Sequence, residues 1–187
     1  MLCQQALLQE RPGPKELGLD RANGHSEDVS YLFIRPLLEV AQDQHIAILG
    51  LADAIDLQLQ SRQACWNVKG PHFMALRELF GKVAQGVEED ANLIAARIVQ
   101  LGGRAEGTAH AVAGRSSLDG YRLATAIGNG HIDALSTTLT NFGRHARYAS
   151  EQATLLQDAD TAAIFTEVAR GIDTWLWFVE TSQQAGS

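Results

Sequence analysis

Residues 63–73 read Gln-Ala-Cys-Trp-Asn-Val-Lys-Gly-Pro-His-Phe and put a thiol, an indole, an amide and an imidazole in one short stretch. A thiolate at Cys65 suits soft metals, and the imidazole of His72 suits borderline ones. One cysteine does not complete a metal site. The six histidines (His25, His45, His72, His110, His131 and His145) form no i, i+4 pair and no short-spaced cluster. The carboxylates are better grouped: Glu88 and Glu89 are adjacent, Glu78 precedes them, and Asp53 and Asp56 stand three apart. Lone helical histidines such as His45 and His145 read first as polar core or surface residues. Asp53 and Asp56 read as solvated or interface-paired acids. Trp66, Trp175, Trp177 and Phe178 offer faces on which bases could stack, but their helical spacing assigns them to packing.

Four long helical patterns carry these residues. Leu38, Ala41, Ile48, Ala52, Ile55 and Leu59 mostly keep three- or four-residue steps from about residue 31, with His45 filling a gap and Pro36 in the tolerant first turn. Phe80, Val83, Val87, Ala91, Ile94, Ile98 and Leu101 step by three and four, and the run stops at Gly102-Gly103. The third pattern runs from Ile132 to Leu156, and Asp158 to Thr161 form a polar break with capping residues. The fourth carries Ile164, Phe165, Val168, Ile172, Trp175 and Val179. The connection from Gly102 to Gly130 is too long for a simple turn, and Leu118, Tyr121, Leu123 and Ile127 suggest a short helix inside it. Four helices with one long middle crossover predict an all-α, ferritin-like four-helix bundle.

The chain has 187 residues, a length that fits one domain. We assign the bundle to residues 30–183, a flexible N-terminal tail to 1–29 and a C-terminal tail to 184–187. No apolar run approaches the ~20 residues that cross a bilayer, and no leader pattern opens the sequence, so a cytoplasmic protein is expected. Cys3 and Cys65 are too few for a disulfide scaffold. The net charge is −7 and the basic set is mostly arginine, a balance that repels nucleic acid unless a local patch reverses it.

The Trp-Asn-Val-Lys-Gly-Pro-x-Phe core beginning at Trp66 is followed by Ala96-Arg-Ile-Val-Gln-Leu-Gly-Gly103 and then by Ala105-Glu-Gly-Thr108. Together with Trp175-Leu-Trp-Phe-Val-Glu180, this ordered set closely resembles the Dps family, the ferritin-like mini-ferritins called DNA-binding proteins from starved cells, over residues 31–182. The resemblance implies a dodecameric hollow shell that oxidises Fe(II) with hydrogen peroxide and stores the ferric mineral. It implies iron sites at a two-fold interface, with ligands from both subunits, and places Trp66, Trp175 and Trp177 in core and interface packing.

The same resemblance locates the ferroxidase ligands, and there this sequence departs from the pattern. The histidine before Trp-Asn is Cys65, the histidine before Glu78 is Arg77, and the aspartate four residues later is Gly81. The aspartate and glutamate farther along the helix are Asn92 and Ala96. Iron needs imidazole and carboxylate, and a fixed arginine in a partly buried pocket opposes its entry. We therefore expect no dinuclear ferroxidase site at the usual place. Cys65 is expected as a small residue filling the vacated space.

Relocated ligands would be sought at His72, Glu78, Glu88 and Glu89. From Gly130 to Tyr148 the single acid is Asp133, while Arg144, His145 and Arg147 add positive character, so an acidic iron-conducting pore is also weakened. The expected function is a Dps-like shell linked to iron sequestration and protection from oxidative stress, without the usual ferroxidase chemistry. The expected assembly is a homo-oligomer, with an active paralogue as a further candidate for co-assembly. The alternatives are a working iron-oxidising mini-ferritin with relocated ligands, and a non-enzymatic nucleoid protein that binds DNA. Residues 1–29 hold one lysine and carry more acids than bases, which counts against direct DNA contact by that tail.

Overall fold

The computed structural model describes residues 26–121 and 128–184, with side chains over 41–121 and 130–182. Helix α1 spans Ser26–Asn67, α2 Phe73–Gln100, α3 Ala109–Arg115, α4 Gly128–Leu155 and α5 Ala159–Gln184. No strand occurs among the described residues. Helix α1 packs chiefly on α2 and α4 chiefly on α5, and α1·α4 and α2·α5 contacts join the two hairpins. The crossover between them carries α3 along α1. This is the expected all-α bundle. Of the expected N-terminal tail, residues 1–25 lie outside the described residues, as do 185–187 at the other end.

Helix α1 starts earlier than its apolar period suggested. It begins at Ser26, so Pro36 stands in its interior and not in its first turn. Proline there removes one backbone donor from the helical ladder. The buried stripe of α1 also differs from the one read in the sequence. Ala47, Leu51, Ala54, Leu57 and Ala64 are buried, whereas His45 and Leu59 are exposed. Ile55 is covered by the crossover: a Cβ on Gly107 would stand 3.0 Å from its Cδ1. Two apolar stripes, one facing the bundle and one facing the crossover, blur the single period that a lone face would give.

Helix α2 follows its period closely, burying Phe80, Val83, Val87, Ala91, Ile94 and Ile98. It ends at Gly102, where φ is +79°, a left-handed conformation that suits glycine. The Gly103 amide donates to the Ile98 carbonyl at 2.9 Å. The core is completed by Ile132, Leu135, Leu139 and Phe142 of α4 and by Phe165, Val168 and Ile172 of α5.

The short crossover helix lies upstream of its expected place. It is Ala109–Arg115, with Thr108 accepting a hydrogen bond from the Ala111 amide. Leu118 is buried but not helical, and Leu123 and Ile127 lie outside the described residues. The reason is local: the segment after α3 is tied down by side chains of α1, with the Ser117 amide on Asp53 at 2.7 Å and the Asp119 carbonyl accepting from Gln60 at 3.0 Å. Backbone groups spent on side-chain partners are not available to a helical ladder.

Candidate functional site

The five positions that sequence resemblance equates with iron ligands lie on α1 and α2, with Cys65, Arg77 and Gly81 near the turn that joins them and Asn92 and Ala96 toward the far end of α2. Cys65, in the last turns of α1, faces α2. Its thiol donates to the Arg77 carbonyl at 3.4 Å, and a Cβ on Gly81 would sit 3.8 Å from its sulfur. Arg77 is exposed, and so are Asn92 and Ala96 farther along α2. None of these five side chains is a carboxylate or an imidazole, so the donor set does not fit iron. Among the described residues no group of three or more histidine, cysteine, aspartate or glutamate side chains is placed to hold a metal ion.

The relocated candidates do not converge. Glu78 pairs with Lys82 at 2.7 Å on the exposed face of α2, and this hydrogen bond and charge hold its carboxyl below the ordinary value. Glu88 pairs with Arg62 of α1 at 3.0 Å. His72 is exposed at the start of α2, where its side chain makes no capping hydrogen bond. Glu89 is exposed beside Asp90. Burial, with Glu167 and Glu89 nearby, pushes the Asp90 carboxyl up to about 7. Trp175 packs against the core, while Trp66 and Trp177 are exposed on the single chain.

One polar cluster was not assembled by sequence reasoning. Asp53 is buried instead of solvated, and it receives the Ser117 amide at 2.7 Å, the Ser117 hydroxyl at 2.8 Å, the Ser116 hydroxyl at 3.2 Å and His145 Nδ1 at 3.1 Å. Asp56 joins through Ser116 at 2.6 Å. His145 is therefore neither a core histidine nor a free surface one. Arg147 pairs with Asp173 of α5 at 2.9 Å, so the positive character expected near Tyr148 is partly compensated. His131 is fully buried, which lowers its pKa, and it accepts from Tyr121, whose hydroxyl burial pushes up to about 12. The long sequence separations of these partners hid them; no motif spacing announces them.

Comparison with known proteins places this arrangement. Residues 50–184 match the ferritin-like domain. The chain is 37% identical over 137 residues to the DNA protection during starvation protein of Agrobacterium fabrum, covering 73% of this chain and 85% of that one. The chain belongs to the Dps family. A second relative of the same description, from Mycolicibacterium smegmatis, is 27% identical over 126 residues, covering 66% of this chain and 67% of its own. Among solved Dps structures, DpsA14 from Streptomyces coelicolor superposes with a TM-score of 0.74 at 30% identity, covering 77% of this chain and 85% of that one. The Dps protein from Vibrio cholerae O1, described as a member of the ferritin-like diiron-carboxylate superfamily, shares the fold at a TM-score of 0.73 and 16% identity, covering 78% of this chain and 91% of that one.

In this Dps chain the remaining motif residues hold the fold together. Arg97 reaches from α2 to the start of α5, where Nη2 donates to both Asp158 oxygens at 2.7 and 2.8 Å and Nε donates to Thr161 Oγ1 at 2.8 Å. Asp158 in turn accepts from the Thr161 amide at 3.0 Å, the capping interaction expected at that break. Trp175 lies over Gly86, where a Cβ would come within 2.6 Å of the indole nitrogen.

Proposed function

We propose that this chain builds a Dps-type hollow shell that sequesters iron and protects against oxidative damage, without a dinuclear ferroxidase site at the usual interface positions. Family membership supports the first part. The carrying observation for the second is the Cys65–Arg77–Gly81 arrangement, a thiol hydrogen-bonded to backbone beside a glycine, with a cation on the same turn. Iron here is cargo, and the chain offers no imidazole or carboxylate at these positions through which to bind and oxidise it.

Homo-oligomeric assembly accounts for the large apolar side chains left on the single chain, including Trp66 at 70%, Met74 at 66% and Trp177 at 60% exposure. Twelve copies is the assembly we propose, with these residues as interface groups. Ligands drawn from two subunits also let an active paralogue co-assemble and supply catalysis in a mixed shell. Direct DNA coating is not part of this reading, because the chain carries −7 and counterion release needs clustered cations. No helix among the described residues is long and apolar enough to cross a membrane.

Anaerobic titration of the assembled, metal-free protein with Fe(II), followed by calorimetry, tests the proposal. Weak, non-saturating uptake is expected. Saturable binding of two Fe(II) per chain that falls when His72, Glu78, Glu88 or Glu89 becomes alanine would replace it with the relocated-site reading.

A further inference from the structure

Beside the Asp53 cluster lies a cavity of about 210 Å³ between α1, α4 and α5. Ile46, Leu49 and Gly50 of α1, Phe142 and Ala149 of α4, and Phe165 of α5 give it an apolar wall. An apolar cavity of about 150 Å³ is enough to take up benzene, so this one has room for a single aromatic ring with a small substituent. His145, Asp53 and Ser117 line its polar end.

The hydrogen-bond inventory at that end selects the ligand. A carboxylate has about four acceptor sites, and Asp53 receives three donors, the Ser117 amide, the Ser117 hydroxyl and His145 Nδ1, while the single Ser116 hydroxyl proton lies closer to Asp56, at 2.6 Å against 3.2 Å. The Asp53 side chain is 4% exposed, so it lacks the access that an ammonium ligand would need. The Ser117 proton is likewise directed to Asp53. Because a carboxylate only accepts, His145 Nδ1 donates to Asp53, which leaves Nε2 as the ring's remaining hydrogen-bonding atom. Among the described residues the hydrogen bonds of His145 all run through Nδ1, and its side chain is 34% exposed.

We propose that the cavity binds a small neutral phenol, with its ring against the apolar wall and its hydroxyl hydrogen-bonded to His145 Nε2. Asp53 is a positioning residue that holds the imidazole ring through Nδ1. Neither depends on iron chemistry at the vacated ligand positions.

The test is calorimetric titration of the full-length assembled protein with phenol and with toluene, which has the ring but not the donor. One phenol per chain is expected, bound roughly five- to tenfold more tightly than toluene, the range that one net hydrogen bond supplies. His145→Leu should make the two affinities equal. Ala149→Val, which takes up cavity volume, should weaken both ligands, with helical circular dichroism confirming that each variant folds. Absence of saturable phenol binding would overturn the proposal. So would equal affinity for the two ligands in the native protein, a phenol preference that survives in His145→Leu, or unchanged binding of both in Ala149→Val.

Discussion

Cys65 on α1 and Gly81 on α2 meet across the first helical hairpin, with the sulfur 3.8 Å from where a glycine Cβ would stand. That spacing is ordinary van der Waals contact, so the glycine leaves room for a side chain at the helix surface. The two positions that resemblance assigns to an imidazole and a carboxylate are neighbours here, and they meet in packing contact.

Restoring the ligands should therefore restore chemistry. The combined variant Cys65→His, Arg77→His, Gly81→Asp, Asn92→Asp and Ala96→Glu is expected to bind Fe(II) saturably and to oxidise it with hydrogen peroxide faster than the parent. Stopped-flow absorbance of the ferric product checks this. Gly81→Asp alone should fold and remain inactive, because one carboxylate is not a site.

The Arg97–Asp158 pair should be a major contributor to stability. Both side chains are largely buried, at 14% and 12% exposure. Arg97→Ala leaves a buried carboxylate unpaired and is expected to cost about 3–5 kcal/mol, measured by urea denaturation at fixed subunit concentration.

Acid should weaken the same contact. Burial alone would raise the Asp158 carboxyl, but hydrogen bonds from Arg97 and Thr161 and the Arg97 charge outweigh it and hold the group below its ordinary 3.8. A depressed carboxyl stabilises the fold above the unfolded value and loses that contribution as pH falls through the folded one. The stability difference between native protein and Asp158→Asn should thus be full at neutral pH and shrink below about 3.8.

Asp90 has the opposite sign. Its folded value near 7 lies above the ordinary 3.8 because burial, then Glu167 and Glu89, disfavour the charged form. Stability is therefore lost as pH rises between those two values and levels off above the upper one. Asp90→Asn should gain on the native protein across that window, and a gain independent of pH would contradict the assignment.

Gly86 should not accept a side chain. Its missing Cβ lets the Trp175 indole lie directly on α2, with three ring atoms 2.6–2.9 Å from the Cβ position. Gly86→Ala should destabilise by about 1–3 kcal/mol through overpacking and shift the tryptophan emission.

The bundle was legible because α2, α4 and α5 each bury one face, and Phe80 through Ile98 keep that face in register along the sequence. Helix α1 was less legible, since Ile55 serves the crossover while Leu57 serves the core. Of the residues read as a crossover helix, Leu118 and Tyr121 are not helical, and Leu118 is buried by tethering to α1 and not by helical periodicity. At Cys65, Arg77, Gly81, Asn92 and Ala96 the residue types are readable from the sequence, and their equation with iron ligands rests on resemblance. The Asp53–His145 pair was not, as its members stand far apart in the chain and meet only when α4 crosses α1.

The most direct measurement is anaerobic addition of Fe(II) and hydrogen peroxide to the purified shell, with ferric absorbance followed against a protein-free control. The account predicts a trace no faster than the control. Rapid, saturable oxidation with iron retained by the shell would contradict it.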